Sequence, residues 1–244
     1  MIRRIPGAAL PPERDTECSA RIHGLQYAYG ETDLVQFYSD ERSSCLALLD
    51  GVAFWDTPGD TTEEWRSFLR LLPGLSVLRT DRVTGKQLSV GSNLPCSTGK
   101  LMRFTGQTPS KGNAETSCRL PELYSLLQSS FPTLPPLDSW YVDVSHRVRH
   151  GFCHLSVIDR EDIPVSAAMT VAETQQAAVI GAVVTAPDHR GQGLAIQCVT
   201  DLLAQLADKR SIWIAPIDAA AERLYARLGF TVQDSSGWAE LIYQ

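Results

Sequence analysis

The chain has 244 residues, 20% of them charged, and a formal net charge of −6. That length supports one large domain or two small ones with a sizeable core. The acidic balance argues against nucleic acid as the main partner, mildly favours a cationic or amine ligand, and no apolar run reaches bilayer-spanning length.

The opening segment, Met1-Ile2-Arg3-Arg4-Ile5-Pro6, lacks the apolar core of a signal peptide, so a cytoplasmic protein is expected. Residues 1–30 are polar, punctuated by Pro and Gly, and show no period. Residues 34–38 and 44–49 read as strands, and Asp50-Gly51 is a hairpin turn into Val52-Ala53-Phe54-Trp55. Thr61-Thr62-Glu63-Glu64 has a capping pattern that opens a helix with Trp65, Phe68, Leu69 and Leu72 on its apolar face. Pro73-Gly74 stops that helix, and 75–78 is another strand. Residues 91–117 are loop-rich around one strand at Leu101-Met102-Arg103-Phe104, close to a boundary. A helix over 120–130 turns Leu123, Leu126 and Leu127 inward, and 131–136 is a rigid, proline-rich connector. The expected division is an N-terminal α/β domain over 1–118 and a second domain over 119–244.

The second half is the more legible. Trp140-Tyr141-Val142-Asp143-Val144-Ser145-His146-Arg147-Val148-Arg149-His150-Gly151 fits a strand or a helix edge. Its two His and two Arg suit either recognition of an anionic group or an ion-paired, solvated face. Residues 152–158, 165–171 and 177–185 form an antiparallel meander, with a turn at Asp159-Arg160-Glu161-Asp162. A helix over 191–208, a strand over 211–215, a helix over 219–228 stopped by Gly229, and strands at 230–232 and 238–242 complete the chain. Six cysteines (Cys18, Cys45, Cys96, Cys118, Cys153, Cys198) lack paired spacing, and Cys153-His154 is adjacent rather than spaced for chelation. Free thiols and no metal are expected.

The most telling stretch is His189-Arg190-Gly191-Gln192-Gly193-Leu194-Ala195, set between a buried strand and a helix. A helix start presents unpaired N–H groups and partial positive charge, which together suit an anion. Gly191 and Gly193 let phosphate oxygens approach the backbone, and Arg190 adds a forked cation. A Walker loop would need Lys and Ser/Thr after its second Gly, and neither is present. A dinucleotide fingerprint would need a tight turn, whereas five residues (186–190) separate strand from glycine, and too little chain follows for a doubly wound sheet.

Arg190-Gly191-Gln192-Gly193-Leu194-Ala195 resembles the Gln/Arg-x-x-Gly-x-Gly/Ala loop of the GNAT superfamily of acyl-CoA-dependent N-acetyltransferases. Asp218-Ala219-Ala220-Ala221-Glu222-Arg223-Leu224-Tyr225-Ala226-Arg227-Leu228-Gly229-Phe230 is similar to the family's second signature, ending in Leu-Tyr-x-x-Leu-Gly-Phe. The resemblance is specific over about the last third of the chain. It implies an α+β fold in the C-terminal half, a mixed and mostly antiparallel sheet flanked by helices. By length and architecture the chain also looks like bacterial members whose N-terminal half is a degenerate copy of that fold; an unrelated α+β cap is the other reading.

The resemblance implies acetyl-CoA as donor. Arg190, Gly191, Gln192, Gly193, Leu194 and Ala195 would hold its pyrophosphate, and the backbone of Val183, Val184 and Thr185 would pair with the pantetheine arm. Gly181, inside that strand, suits a bulge or close packing. Tyr225 stands where the family often keeps the general acid that protonates the leaving thiolate; packing is the alternative. Asp218 replaces a common Asn and only accepts hydrogen bonds. The base that deprotonates the amine is not fixed by the family; Glu173, Asp143 and Asp188 are candidates. The expected activity is direct acetyl transfer from acetyl-CoA to a primary amine of a small molecule or peptide, since Cys153 and Cys198 lack a base partner. A non-catalytic acyl-CoA-binding sensor or interaction protein is the alternative.

Overall fold

A computed structural model describes residues 1–59, 63–90, 92–109, 119–131 and 134–243. The chain runs through β1 (Arg3–Ile5), α1 (Glu17–Tyr29), β2 (Gln36–Ser39), β3 (Cys45–Leu49), β4 (Val52–Asp56), α2 (Glu63–Leu71), β5 (Val77–Asp81), α3 (Arg82–Ser89) and β6 (Cys96–Phe104). It continues through α4 (Leu120–Gln128), α5 (Leu137–Arg149), β7 (Leu155–Arg160), β8 (Ile163–Glu173), β9 (Ala177–Thr185), α6 (Leu194–Gln205), β10 (Ser211–Ile214), α7 (Ala219–Arg227) and β11 (Phe230–Ile242). Thr61 and Thr62 of the expected cap, Cys118, and the expected 118/119 division lie outside the described residues.

The contacts divide the chain into two compact units. The first comprises Met1–Met102, Ala215–Ile217 and Val232–Gln244; the second comprises Arg103–Ile214 and Asp218–Thr231.

In the first unit β1, β2, β3 and β4 pair antiparallel in sequence order, β4 pairs parallel with β5, and β5 pairs antiparallel with the end of β11. Asp50 and Gly51 both take positive φ, which a two-residue hairpin requires between β3 and β4. The core gathers Leu46, Trp55, Trp65, Leu69, Leu78 and Leu241, with the Trp55 and Trp65 rings 5.0 Å apart. Thr16 caps α1, its hydroxyl accepting from the Ser19 N–H at 3.0 Å.

Helices α1 and α3 are not among the elements expected from the sequence. Nine of the thirteen residues of α1 are buried, among them Glu17, Ser19, His23 and Gly24, so no polar face marks the helix. His23 Nδ1 and Nε2 lie 3.0 Å from the Ser19 and Pro11 carbonyls respectively, so whichever ring nitrogen carries the proton has an acceptor inside. Helix α3 is capped by Asp81, which accepts from the Val83 and Thr84 N–H groups.

In the second unit β7, β8 and β9 form an antiparallel meander, and β9 pairs parallel with β10 through the α6 crossover. The core joins Leu123, Leu127, Trp140 and Val144 of α4 and α5 to Leu155, Met169 and Val184 of the sheet. The stretch 140–149, open to two readings in sequence, is helical: it forms most of α5. The final strand is continuous over Phe230–Ile242 rather than two pieces, and the helix expected from 191 begins at Leu194.

Candidate functional site

Strand β9 is anchored at its start and unpaired on one side at its end. Only Ala177–Ile180 pair with β10, which stops at Ile214; among the described residues Gly181–Thr185 have no strand partner on that side. The other side stays paired to β8, with two register shifts. One shift leaves Ala182 and Val183 opposite Ala168 alone, and Ala182 takes φ +50°. That is a β-bulge, which bends the strand at the point where β10 is left behind. The second shift makes Val171 the extra residue on β8. A Cβ on Gly181 would lie 2.7 Å from the Val171 side chain, so Gly181 serves close packing and the bulge falls on the next two residues. Alanine carries no signal for positive φ, which is why the bulge position was not legible.

Beyond Thr185 the chain makes a short 3-10 turn at Pro187–His189 and then the glycine loop. Gly191 and Gly193 have φ of +76° and +78°, with no atom within 4 Å of where a Cβ would stand. Their glycine requirement is therefore conformational, and the space above them is open. Gly193 is the N-cap of α6; it offers no side-chain cap, and no acid occupies the first turn. The first-turn N–H groups, which intrahelical bonding cannot satisfy, start from an exposed loop. Arg190 Nε donates to the Thr185 carbonyl at 3.2 Å, tying the loop to the free end of β9. That contact is what links Val183, Val184 and Thr185 to residues 190–195, of which Val184 and Leu194 are buried.

Tyr225 lies on α7. Asp218 caps this helix, accepting from the Ala221 N–H at 2.7 Å, which accounts for an acceptor-only residue there. The Tyr225 ring is buried, 6.1 Å from Phe230, which in turn packs on Phe104 at 5.2 Å. Burial, and secondarily the Asp218 carboxylate, push its phenol up to about 12. Among the described residues no hydrogen bond or ring contact joins Tyr225 to β9 or the glycine loop.

The three carboxylates proposed as bases sit in different surroundings. Glu173 is buried: His154 Nδ1 lies 2.8 Å and Lys209 Nζ 3.3 Å from its oxygens, and the Thr170 hydroxyl donates at 3.2 Å. Asp143 is paired with Arg147 at 2.6 Å along α5. Asp188 is exposed in the 3-10 turn. Burial pushes the Cys153 thiol up to about 11 and raises that of Cys198 as well. Among the described residues no three metal-ligating side chains converge.

Residues 160–239 match the family described as FR47-like protein. No curated protein matches the chain in sequence. Several solved structures share its fold across nearly the whole length. A GCN5-related N-acetyltransferase from Kribbella flavida is 16% identical, covers 92% of this chain and 93% of its own, and superposes with a TM-score of 0.62. A putative acetyltransferase of the GNAT family from Novosphingobium aromaticivorans is 17% identical, with coverage of 94% and 99% and a TM-score of 0.60. A tandem GNAT protein from the clavulanic acid biosynthesis pathway is 12% identical, with coverage of 100% and 98% and a TM-score of 0.56.

Proposed function

We propose, from the fold it shares with GNAT-family structures and the FR47-like match over residues 160–239, that the chain transfers an acetyl group from acetyl-CoA to a primary amine. One observation carries the donor assignment: the unpaired end of β9 leads directly into a helix start with uncapped amides and two open, positive-φ glycines. A pantetheine arm carries amides and can lie along Gly181–Thr185 as an added strand, pairing with the backbone of Val183, Val184 and Thr185. The pyrophosphate then meets the N–H groups of residues 191–195, with Arg190 as counter-charge.

In this reading the amine nitrogen attacks the thioester carbonyl, the C–S bond breaks, and the acetyl group stays on nitrogen. Tyr225 gives its proton to the departing sulfur. A phenol raised to about 12 is fully protonated at neutral pH, although it is a weaker acid than an exposed tyrosine. Thiols buried at 153 and 198 with raised values make poor nucleophiles, which supports direct attack without an acyl-enzyme. The ion pairs held by Glu173 and Asp143 leave neither free to act as base, so the amine proton passes to solvent or to Asp188. The acceptor is a small-molecule or peptide amine, and the cytoplasm is its proposed setting. The N-terminal half is read as a degenerate copy of the same fold.

The test is thiol release from acetyl-CoA across amino acids, polyamines, aminoglycosides and peptides, with wild-type protein and Tyr225→Phe. The expected result is amine-dependent release that falls roughly a hundredfold in the variant while CoA affinity holds. Because Glu173 and Asp143 are ion-paired, leaving only the exposed Asp188 of the three candidate bases, a non-catalytic acyl-CoA binder is the second reading. It is favoured if CoA raises the melting temperature but no amine releases thiol.

A further inference from the structure

The His/Arg-rich stretch of α5 takes no part in the proposed chemistry. Its charges are not equivalent. Arg147 is bidentate on Asp143, at 3.0 and 2.6 Å, and His150 Nδ1 lies 2.8 Å from the His146 carbonyl. Arg149 is exposed and, among the described residues, has no ion pair or hydrogen bond. It stands on the wall of a groove of about 570 Å³ between the start of α4 and the second half of α5.

The floor and sides of that groove are aliphatic: Leu120, Pro121, Val148 and Leu155. Tyr141, 43% exposed, lines it with a phenol face, and Ser145 adds a hydroxyl. The second cation there, Arg119, and the one lining carboxylate, Glu122, neutralise each other at 3.4 Å, and Arg119 also donates to the Asp162 carbonyl at 2.7 Å. The groove therefore offers an apolar trough, an aromatic wall and one unneutralised guanidinium. Its volume lies within the range of small-molecule sites.

We propose that this groove binds a small carboxylate with an apolar body, the carboxylate on Arg149 and the body between Tyr141 and Val148. A guanidinium fork matches a carboxylate, and a partly desolvated pair is stronger than one in open water. A cation would meet Arg149 unfavourably, and a wholly apolar ligand would leave that charge half-covered. None of these residues belongs to the glycine loop or to β9, so binding requires no acyl donor and stands or falls apart from the acetyl-transfer reading.

The experiment is an NMR titration of the full chain with 3-phenylpropanoate and with its neutral isostere, 3-phenylpropanamide. A probe of that size is expected to bind at about millimolar Kd. The expected result is saturable shift changes at the amides of Ser145, Val148 and Arg149 for the acid, with the amide weaker by about tenfold. Arg149→Gln, an exposed substitution that leaves the fold intact, should lose the same factor, and Arg149→Lys should recover part of it. The proposal is overturned by equal binding of acid and amide, by an unchanged Arg149→Gln, by shifts confined to residues 190–195, or by no shifts at ten times that concentration.

Discussion

Ala182 holds a backbone conformation that suits glycine, φ +50°, in the bulge where β9 parts from β10. The left-handed region costs a residue with a Cβ about 1–2 kcal/mol, whereas glycine's extra chain entropy costs about 0.5–1 kcal/mol. Ala182→Gly is therefore expected to stabilise by a few tenths to about 1 kcal/mol in urea unfolding. Gly181→Ala has the opposite sign, because its Cβ would meet Val171 at 2.7 Å and force the two strands apart. A loss of about 1–3 kcal/mol is expected. Burial also opposes the ionisation of Tyr225. Its folded value of about 12 lies above the ordinary 10, so its contribution is fully present below pH 10 and is lost as pH rises towards 12. Wild-type stability should fall across that window, by about 2 kcal/mol from this group. Tyr225→Phe should show a shallower fall in chemical denaturation at pH 9, 10.5 and 12, and an unchanged slope would mean the phenol is not buried in solution.

Elements here are fixed by small polar devices at their ends, and one such device lies at the β8–β9 turn. Glu173 accepts from Thr170 and faces His154 and Lys209, whose side chain is itself only 10% exposed. Glu173→Gln leaves a buried ammonium with only the exposed Asp208 carboxylate at 3.6 Å, at a cost of up to about 3 kcal/mol. Turnover per folded molecule should be unchanged, which separates this structural role from that of a general base. At α7, Asp218→Ala should cost about 1 kcal/mol while Asp218→Asn keeps the cap. Legibility in the sequence follows the same physics. Strand β9 is readable to the residue, since a β-branched run between turns has few other solutions. The glycine loop is readable because positive φ selects glycine. Helix α1 is hidden because burial on nearly all sides erases the polar face that periodicity needs. Asp143 and Glu173 look like free carboxylates in sequence because their partners, four and thirty-six residues away, are set by helix spacing and tertiary packing respectively.

At the scale of the molecule, the first unit is not a contiguous piece of chain. It is completed by the last strand: Trp238–Ile242 pair with Asp81–Val77, and Ala239 and Leu241 are wholly buried in its core. Gly85 of α3 lies so close to Ala239 that no Cβ would fit between them, so the strand is seated tightly as well as hydrogen-bonded. Without that strand, β5 would present an open edge and the Trp55–Leu78 core would lose one wall. A fragment ending at residue 109 is therefore expected to be unfolded or aggregated. The same fragment with residues 230–244 fused through a flexible linker should regain dispersed amide resonances and a cooperative thermal transition. Cooperative folding of the unfused fragment would mean that the N-terminal segment closes its own sheet, and that the final strand is an addition rather than part of its core.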